Sequence, residues 1–364
     1  MPQPHHNPTP QIPFATSISS YLLLLGLLRV HSFRHQSLRD TVMGSSTVFH
    51  LVFLALAANA LPAVDYNLRP IIGVLAQKAP ESLLGHLKDK NYTSYIAASY
   101  VKFIEGSGGR VVPIFTNQDD SYYENIASSV NGILFPGGGV YFSNITGYGA
   151  AGQKLYELVV KANMEGTYMP LWGTCLGFLM IPYLATGYQT WWTNCNAWNK
   201  ADPLTLQEGY MDSRIFEQMP GYVTDYARLL NTTVNFHSWC MTPENFTASG
   251  LSKDFKVLAT SYDFDDLEYV ALFEHNDLPI FGSQFHPEKN LYEWVSDEEH
   301  SAIPHDSPSV GVSQYFSSFF INQARYNKQG FATDEEEQAA LLYNYGVTFT
   351  GAQGWPFTEA YFFR

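Results

Sequence analysis

The sequence predicts an α/β fold in which a mostly parallel sheet carries helices on both faces. Between residues 69 and 184, short apolar segments alternate with amphipathic ones, an order typical of parallel strands joined by helices. The chain has 364 residues, 46% of them apolar, which is enough to bury a large core. No repeat or low-complexity linker interrupts it, so we expect one main domain.

Each predicted element has its own justification. Near-continuous apolar runs predict strands, and apolar residues at i, i+4, i+7 and i+8 predict a helix, as for Ile96, Tyr100, Phe103 and Ile104. In chain order, strands are expected at 69–76, 110–115, 132–136 and 168–174. Helices are expected at 95–105, 121–130, 153–162 and 176–184.

The second half of the chain has a different pattern. Three short apolar segments separated by polar turns, 257–260, 269–273 and 280–283, predict a meander or a mixed extension of the sheet. A helix expected at 310–325 would pack over it. Residues 185–254 are rich in Trp, Tyr and Asn and fit neither pattern. We interpret them as an insertion that faces the substrate.

The first 60 residues predict a leader rather than part of the fold. Two apolar runs, 20–28 and 48–58, are both shorter than the roughly 20 residues that span a bilayer. The second run is typical of a signal peptide, with a cleavage pattern at Ala58-Asn59-Ala60. An apolar tail that packs on the core is the less favoured alternative. We therefore expect a leader at 1–60 cleaved near Ala60, the main domain at 65–350 and a C-terminal tail at 351–364.

The net charge and the glycosylation motifs limit the possible partners and cellular locations of the protein. A formal charge of −14 argues against nucleic acid and anionic membrane surfaces as partners. After removal of the leader we expect no membrane span. Four Asn-x-Ser/Thr triplets would be glycan acceptors in a secreted chain. Their asparagines are Asn91, Asn144, Asn231 and Asn245. Together with the leader, these motifs favour the secretory pathway.

The chain has three cysteines, an odd number for a secreted protein. If Cys175 must stay free to react, Cys195 and Cys240 either form a bridge or remain two buried thiols. The sequence slightly favours two buried thiols.

Cys175 lies at a predicted strand-to-helix turn, Gly173-Thr174-Cys175-Leu176-Gly177. Flanking glycines allow the sharp bend that a nucleophile elbow requires. The N-terminus of the following helix would favour the thiolate form of the sulfur. Without a base nearby, an inert buried cysteine would be the better interpretation.

That base is supplied by Gln284-Phe285-His286-Pro287-Glu288, at the end of another predicted strand. His286 could take the thiol proton and later deliver it to a leaving amine. Glu288 could bind the second ring nitrogen and fix the tautomer. A histidine at a strand end is by itself usually structural, but with Cys175 it completes the set for acyl transfer.

A third strand end carries Phe135-Pro136-Gly137-Gly138-Gly139. Glycines let backbone N–H groups approach a ligand closely, although a glycine run is also typical of a plain turn. Ligands of open α/β sheets bind at the carboxyl ends of strands, so the three motifs predict one site.

Taken in order, these motifs resemble the class I glutamine amidotransferase-like family and, more closely, its gamma-glutamyl hydrolases. The resemblance covers about residues 68 to 350. It is carried by Arg69-Pro70-Ile71-Ile72-Gly73, Tyr95-Ile96-Ala97-Ala98-Ser99-Tyr100-Val101-Lys102, Asn131-Gly132-Ile133-Leu134-Phe135-Pro136-Gly137-Gly138, Trp172-Gly173-Thr174-Cys175-Leu176-Gly177-Phe178, Asn235-Phe236-His237-Ser238-Trp239 and His286-Pro287-Glu288-Lys289.

The resemblance implies a flavodoxin-like three-layer sandwich and hydrolysis of folate or antifolate poly-gamma-glutamates through a thioester. It implies no cofactor and no metal, a lysosomal or extracellular location, and a possible homodimer. It also assigns roles to individual positions. Cys175 would be the nucleophile, His286 its proton-transfer partner and Glu288 the third member of the triad. The oxyanion hole would be formed by Gly138 and Leu176, and the substrate pocket by Tyr95, His237 and Gln284.

One position departs from the family. An acidic residue follows Cys-Leu-Gly-Phe there, whereas this chain has Leu179. Two alternatives therefore stay open: a hydrolase of other gamma-glutamyl amides or peptides, and a secreted binding protein on an impaired hydrolase scaffold. An amidotransferase is disfavoured because the chain has neither length for a synthetase domain nor a Walker-type loop.

Overall fold

The computed structural model describes residues 65–85, 87, 89–143, 146–295, 297–351 and 355–364. The predicted leader, its cleavage site at Ala60 and the Asn144 acceptor lie outside the described residues. Among the described helices, none combines the length and apolar character needed to cross a membrane.

The strands of the described chain are β1 (Ile71–Leu75), β2 (Gln77–Lys78), β3 (Ser94–Ala97), β4 (Arg110–Ile114), β5 (Gly132–Phe135), β6 (Leu171–Thr174), β7 (Thr193–Asp202), β8 (Thr205–Leu206), β9 (Thr233–Cys240), β10 (Phe255–Tyr262), β11 (Glu268–His275), β12 (Ile280–Ser283), β13 (Val347–Phe349) and β14 (Glu359–Phe363). Its α-helices are α1 (Glu81–Leu84), α2 (Ala98–Glu105), α3 (Asp120–Ser129), α4 (Gly147–Met164), α5 (Leu176–Ala185), α6 (Arg214–Glu217), α7 (Gly221–Leu229), α8 (Pro243–Ala248), α9 (Lys289–Tyr292), α10 (Ser307–Ala324) and α11 (Asp334–Ala340).

The central sheet has the strand order β4-β1-β5-β6-β12-β11-β10-β8. The first five strands are parallel, and β11, β10 and β8 extend the sheet in antiparallel fashion. This confirms both the mostly parallel sheet and the mixed extension. Because β5, β6 and β12 are neighbours, their carboxyl ends lie side by side, where the three motifs were expected to meet.

Helices cover both faces of this sheet, as the alternation of side chains along β1 shows. Ile72 and Val74 belong to a core cluster shared with α2 and α10. Ile71 and Leu75 belong to a second cluster, shared with α3, α4 and α5. Successive residues of a strand point to opposite faces, so one apolar run serves two layers of helices. The three-layer sandwich is confirmed.

Two predicted boundaries are wrong, both because of a strand pairing between distant parts of the chain. The helix expected at 95–105 begins only at Ala98, because residues 94–97 form β3 and pair with β14 near the C-terminus. Residues 351–364 are therefore not a tail. Phe362 and Phe363 are buried, and their strand lies in a second sheet of order β13-β14-β3-β2. A short apolar run fits a helix or a strand equally well, and here a distant pairing partner decided.

Residues 185–254, which the sequence did not assign, contain a two-stranded antiparallel sheet of β7 and β9. Cys195 on β7 and Cys240 on β9 form a disulfide, with Cα atoms 5.8 Å apart. The expectation of two buried thiols is therefore wrong. Antiparallel pairing of the two strands brings the cysteines within bonding range, which sequence spacing alone cannot reveal.

Candidate active site

Cys175 occupies a sharp turn between β6 and α5. Its backbone adopts φ 52° and ψ −100°, a conformation that non-glycine residues rarely take. The Cys175 N–H donates to the Ser283 carbonyl at 2.9 Å, and the Leu179 N–H donates to the Cys175 carbonyl at 3.1 Å. The strained residue is thus held from both sides by hydrogen bonds. This is the geometry of a nucleophile elbow.

The two glycines that flank Cys175 are required by close backbone approach. A Cβ atom on Gly173 would lie 2.5 Å from the Gly177 carbonyl oxygen. A Cβ atom on Gly177 would lie 2.1 Å from the Phe135 carbonyl oxygen. Neither backbone oxygen can move away without breaking the packing of β5 against the turn. The predicted need for glycine at both positions is confirmed.

His286 follows β12, and the Gly137 position shows how near it lies to the sulfur. A Cβ atom on Gly137 would be 2.8 Å from His286 Cε1 and 3.0 Å from Cys175 Cβ. The His286 Nδ1 lies 2.7 Å from Glu288 Oε1, so Nδ1–H donates to the carboxylate. Nε2 makes no hydrogen bond within the described part of the protein. The structure therefore brings Cys175, His286 and Glu288 together.

Burial and neighbouring charges determine the pKa of His286. Cys175, His286 and Glu288 are all buried. Burial by itself lowers the pKa of His286, but the Glu288 carboxylate and the Cys175 sulfur outweigh it and raise the pKa to about 9. The imidazole is therefore protonated at neutral pH and can donate a proton from Nε2.

Two backbone N–H groups belong to the residues that follow Cys175 and Gly137 in the sequence. Leu176 is the first residue of α5, and Gly138 lies in the loop after β5. Neither N–H donates to a protein acceptor among the described residues. Free N–H groups at a helix start and in a glycine loop are what an oxyanion hole needs.

His237 lies on β9, one residue beyond Phe236, whose carbonyl oxygen is 3.9 Å from Cys175 Sγ. The His237 Nε2 is 3.2 Å from Asn235 Oδ1, and its Nδ1 lies 3.6 Å and 3.4 Å from the two disulfide sulfurs. Burial, and next the charge of His286, lower the pKa of His237 to about 3. It is therefore a neutral ring fixed beside the triad.

Gln284 and Tyr95 differ in their surroundings. Gln284 directly follows β12 and is buried, and neither its amide oxygen nor its amide nitrogen finds a partner among the described residues. Such an amide is available to a ligand. Tyr95 lies on β3, and its ring packs within 6.0–6.4 Å of Trp355, Phe357 and Phe362. Its ring lies against the C-terminal segment, and its backbone pairs with Gln77 on β2.

Two residues of the site, Tyr100 and Gln77, were not identified from the sequence. Tyr100 was assigned to the apolar face of a helix, yet its hydroxyl accepts the Gly137 N–H at 2.8 Å and lies 3.4 Å from His286 Nδ1. Gln77 contacts the same glycine loop. A polar residue within an apolar pattern, as at both positions, was the available clue.

A metal would find one group of suitable side chains among the described residues, Cys195, His237 and Cys240. The two sulfurs are bonded to each other, so they do not offer thiolate ligands in this state.

Comparison with known proteins assigns the chain. The family Peptidase C26 matches residues 70–288, a range that contains Cys175, His286 and Glu288. The chain belongs to the peptidase C26 family. Members of this cysteine peptidase family are enzymes, and so is this chain.

Curated relatives of this peptidase C26 chain share the same description. Gamma-glutamyl hydrolase of Homo sapiens is 37% identical over 292 residues, covering 80% of this chain and 88% of the relative. Gamma-glutamyl hydrolase B of Dictyostelium discoideum is 35% identical, covering 82% and 84%. Gamma-glutamyl hydrolase 1 of Arabidopsis thaliana is 30% identical, covering 83% and 85%. A solved glutamine amido transferase from Methylobacillus flagellatus covers 72% of this chain and 97% of its own at 11% identity, with a TM-score of 0.39; so distant a likeness does not bear on function.

Proposed function

We propose that this chain hydrolyses gamma-glutamyl amide bonds, with folate or antifolate poly-gamma-glutamates as substrates and Cys175 as nucleophile. One observation carries the proposal. Two of the three cysteines are bonded to each other, and the remaining one lies in a strained elbow beside a histidine paired with a carboxylate. The names of the curated relatives support the gamma-glutamyl bond as the target, and the family resemblance of the sequence implies the folate substrates.

In the first step the Cys175 thiolate attacks the gamma-carbonyl carbon. A C–S bond forms, and the carbonyl π electrons move onto oxygen. The N–H groups of Gly138 and Leu176 donate to this oxyanion. Removing one such donor typically slows an enzyme by about 10²–10³-fold.

The second step breaks the C–N bond. His286 Nε2 gives its proton to the departing amine, and a thioester on Cys175 remains. Nε2 then takes a proton from water as the water attacks the thioester, which releases a carboxylate and the cysteine sulfur. Glu288 holds Nδ1–H throughout, so Nε2 is the nitrogen that faces the reaction.

The test is product analysis on pteroylpentaglutamate by chromatography and mass spectrometry. The native chain should release glutamate or short gamma-glutamyl peptides, and Cys175→Ala should release none. A circular dichroism spectrum equal to that of the native chain controls for folding. Turnover by Cys175→Ala would overturn the proposal, and so would stoichiometric labelling of Cys175 by a gamma-glutamyl electrophile without product release from native protein.

We further propose that the chain enters the secretory pathway and reaches the lysosome or the exterior as a glycoprotein. Disulfides such as Cys195–Cys240 persist mainly in oxidising compartments. Asn91 and Asn231 are exposed, whereas Asn245 donates its side-chain N–H to the Trp191 carbonyl. We expect glycans at Asn91 and Asn231 ahead of Asn245. Mass analysis before and after N-glycosidase treatment tests this, and an unglycosylated secreted protein would contradict it.

The homodimer implied by the family resemblance stays a prediction. Light scattering of the purified protein would measure the oligomeric state directly. A mass corresponding to one chain at micromolar concentration would contradict it.

A further inference from the structure

Pro136 and Gly137 precede the Gly138 N–H, and nearly all of their backbone polar atoms make hydrogen bonds. The Pro136 carbonyl accepts the Tyr148 hydroxyl at 2.9 Å, and the Gly137 N–H donates to the Tyr100 hydroxyl at 2.8 Å. The Gly137 carbonyl accepts Gln77 Nε2 at 2.8 Å. Buried backbone groups are normally paired. Among the described residues, the one N–H of this segment left without a protein acceptor is that of Gly138.

The bond from Gln77 fixes the direction of that free group. The peptide between Gly137 and Gly138 is trans, so its N–H points opposite to its C=O. With the C=O held toward Gln77, the N–H of Gly138 is turned away from Gln77. Rotation of this peptide would need the Gln77 hydrogen bond to break.

The Gln77 side chain is adapted to this one contact. It is buried, and Nε2 also lies 3.4 Å from the Pro136 carbonyl. Its Oε1 has no hydrogen-bond partner among the described residues, which is unfavourable for a buried amide. The residue therefore contributes through its donor. Gly138 completes the fit, because a Cβ atom there would lie 1.8 Å from Gln77 Oε1.

We propose that Gln77, Tyr100 and Tyr148 are positioning residues that hold the loop after β5 so that the Gly138 N–H faces the developing oxyanion. This rests on the proposed function, because it assumes acyl transfer at Cys175. Gln77 is the decisive member: it touches neither Cys175 nor His286, whereas Tyr100 also contacts the catalytic histidine.

The test replaces Gln77 by Met, which keeps the length of the side chain and removes the donor. Without that donor the Gly137–Gly138 peptide can rotate, so the oxyanion loses an aligned partner. We expect kcat to fall about 10-fold to 100-fold, somewhat less than when an oxyanion donor is deleted outright. KM should stay within about twofold, because the free N–H acts on the transition state rather than on bound substrate.

Two companion variants sharpen the result. Gln77→Glu cannot donate while its carboxyl is ionised, but it can when protonated. Its activity relative to the native chain should therefore rise as pH falls, and the relative activity of Gln77→Met should not. Gln207→Met is the matched control, because Gln207 also donates its amide to an oxygen acceptor, Thr260 Oγ1 at 2.9 Å, in another part of the sheet. We expect its kcat to be unchanged.

The rate at which an activated ester acylates Cys175 provides a second readout that needs no gamma-glutamyl turnover. If native protein lacks that turnover, the proposed function fails, but Gln77→Met should still slow acylation by the same factor. An unchanged kcat and acylation rate in Gln77→Met would overturn the positioning role. So would a loss of activity that matches a loss of thermal stability.

Discussion

Two parts of the molecule meet at Cys175, and they hold their residues by different means. The parallel half of the sheet places Cys175 directly after β6 and His286 three residues beyond the end of β12, and both strands are buried and paired with each other. The two-stranded sheet of β7 and β9 lies outside the central sheet, and the Cys195–Cys240 disulfide joins its strands. It contacts both residues of the proposed mechanism: the Val234 carbonyl accepts the His286 N–H at 2.9 Å, and the Phe236 carbonyl lies 3.9 Å from the Cys175 sulfur.

This difference suggests a functional division between the two parts: one contributes to the reaction steps, and the other to substrate binding and stability. In the proposed mechanism, residues that follow the parallel strands carry the bond-making steps, so changing them should mainly lower kcat. Residues on β7 and β9 are expected to support the site from one side, so changing them should mainly affect KM and stability. Each prediction below can confirm or break that division.

The largest effect is expected for Glu288→Gln, in the parallel half. The amide cannot hold the imidazolium as the carboxylate does, and we expect kcat to fall about 10³-fold. The carboxylate raises the pKa of His286, so the variant should have a lower pKa there. Because amine departure needs protonated His286, activity is lost as pH rises through that pKa. The alkaline limb of the kcat profile should therefore move down from about pH 9. An unmoved limb would contradict the account.

Breaking the disulfide should have the next largest effect, and of a different kind. The bridge joins cysteines 45 residues apart, and a loop of this size typically stabilises a fold by about 2–4 kcal/mol. In Cys195→Ser/Cys240→Ser we expect that loss of unfolding free energy in urea and a raised KM, with kcat little changed. Mild reduction of the native protein should act likewise, and the double variant should be insensitive to reductant. A fall in kcat as large as that of Glu288→Gln would break the division.

For the sheet of β7 and β9 we predict a smaller effect, on the pH dependence of stability, which arises from His237. Its folded pKa of about 3 lies below its ordinary value of 6.5, because burial disfavours the charged ring. The unfolded chain therefore binds a proton below about pH 6.5 that the folded chain refuses, so this contribution to stability declines as pH falls from 6.5 to 3. We expect His237→Gln to lose less stability than the native chain between pH 7 and pH 4. Equal losses, measured from urea midpoints, would contradict this.

Leu179→Glu tests the position where the chain departs from its family, and we expect the smallest effect. Leu179 lies on α5, four residues beyond Cys175, and is buried in an apolar cluster. A carboxylate there should alter the distribution of products from pteroylpentaglutamate more than the total rate. Leu179→Gln controls for polarity without charge. An unchanged product distribution would show that this position does not govern specificity.

The difference between the parallel half of the sheet and the rest of the molecule also explains which features the sequence could predict. Strands β1, β5, β6 and β12 are apolar runs, and the last three are followed by glycine, cysteine and histidine motifs, so local pattern alone identifies them. Their carboxyl ends meet by the general rule for parallel sheets, so the juxtaposition of Cys175 with His286 followed from the predicted fold. The resemblance to a family then supplied individual roles.

Long-range pairing was beyond local pattern. Nothing near Tyr95 shows that its strand pairs with residues 359–363, and nothing near Cys195 shows that Cys240 lies opposite. The contact of Gln77 with the glycine loop depends on the same kind of non-local packing. Such features are fixed by which segments meet in three dimensions, not by the propensity of either segment.

The central claim is that a glutamyl thioester forms on Cys175. Rapid acid quenching of native protein during turnover of a gamma-glutamyl anilide, followed by peptide mapping in a mass spectrometer, tests it most directly. We predict an acyl adduct on the peptide that contains Cys175, formed at a rate that accounts for kcat, and none on Cys195 or Cys240. Continued turnover with no adduct on Cys175, or with an adduct on another residue, would contradict the account.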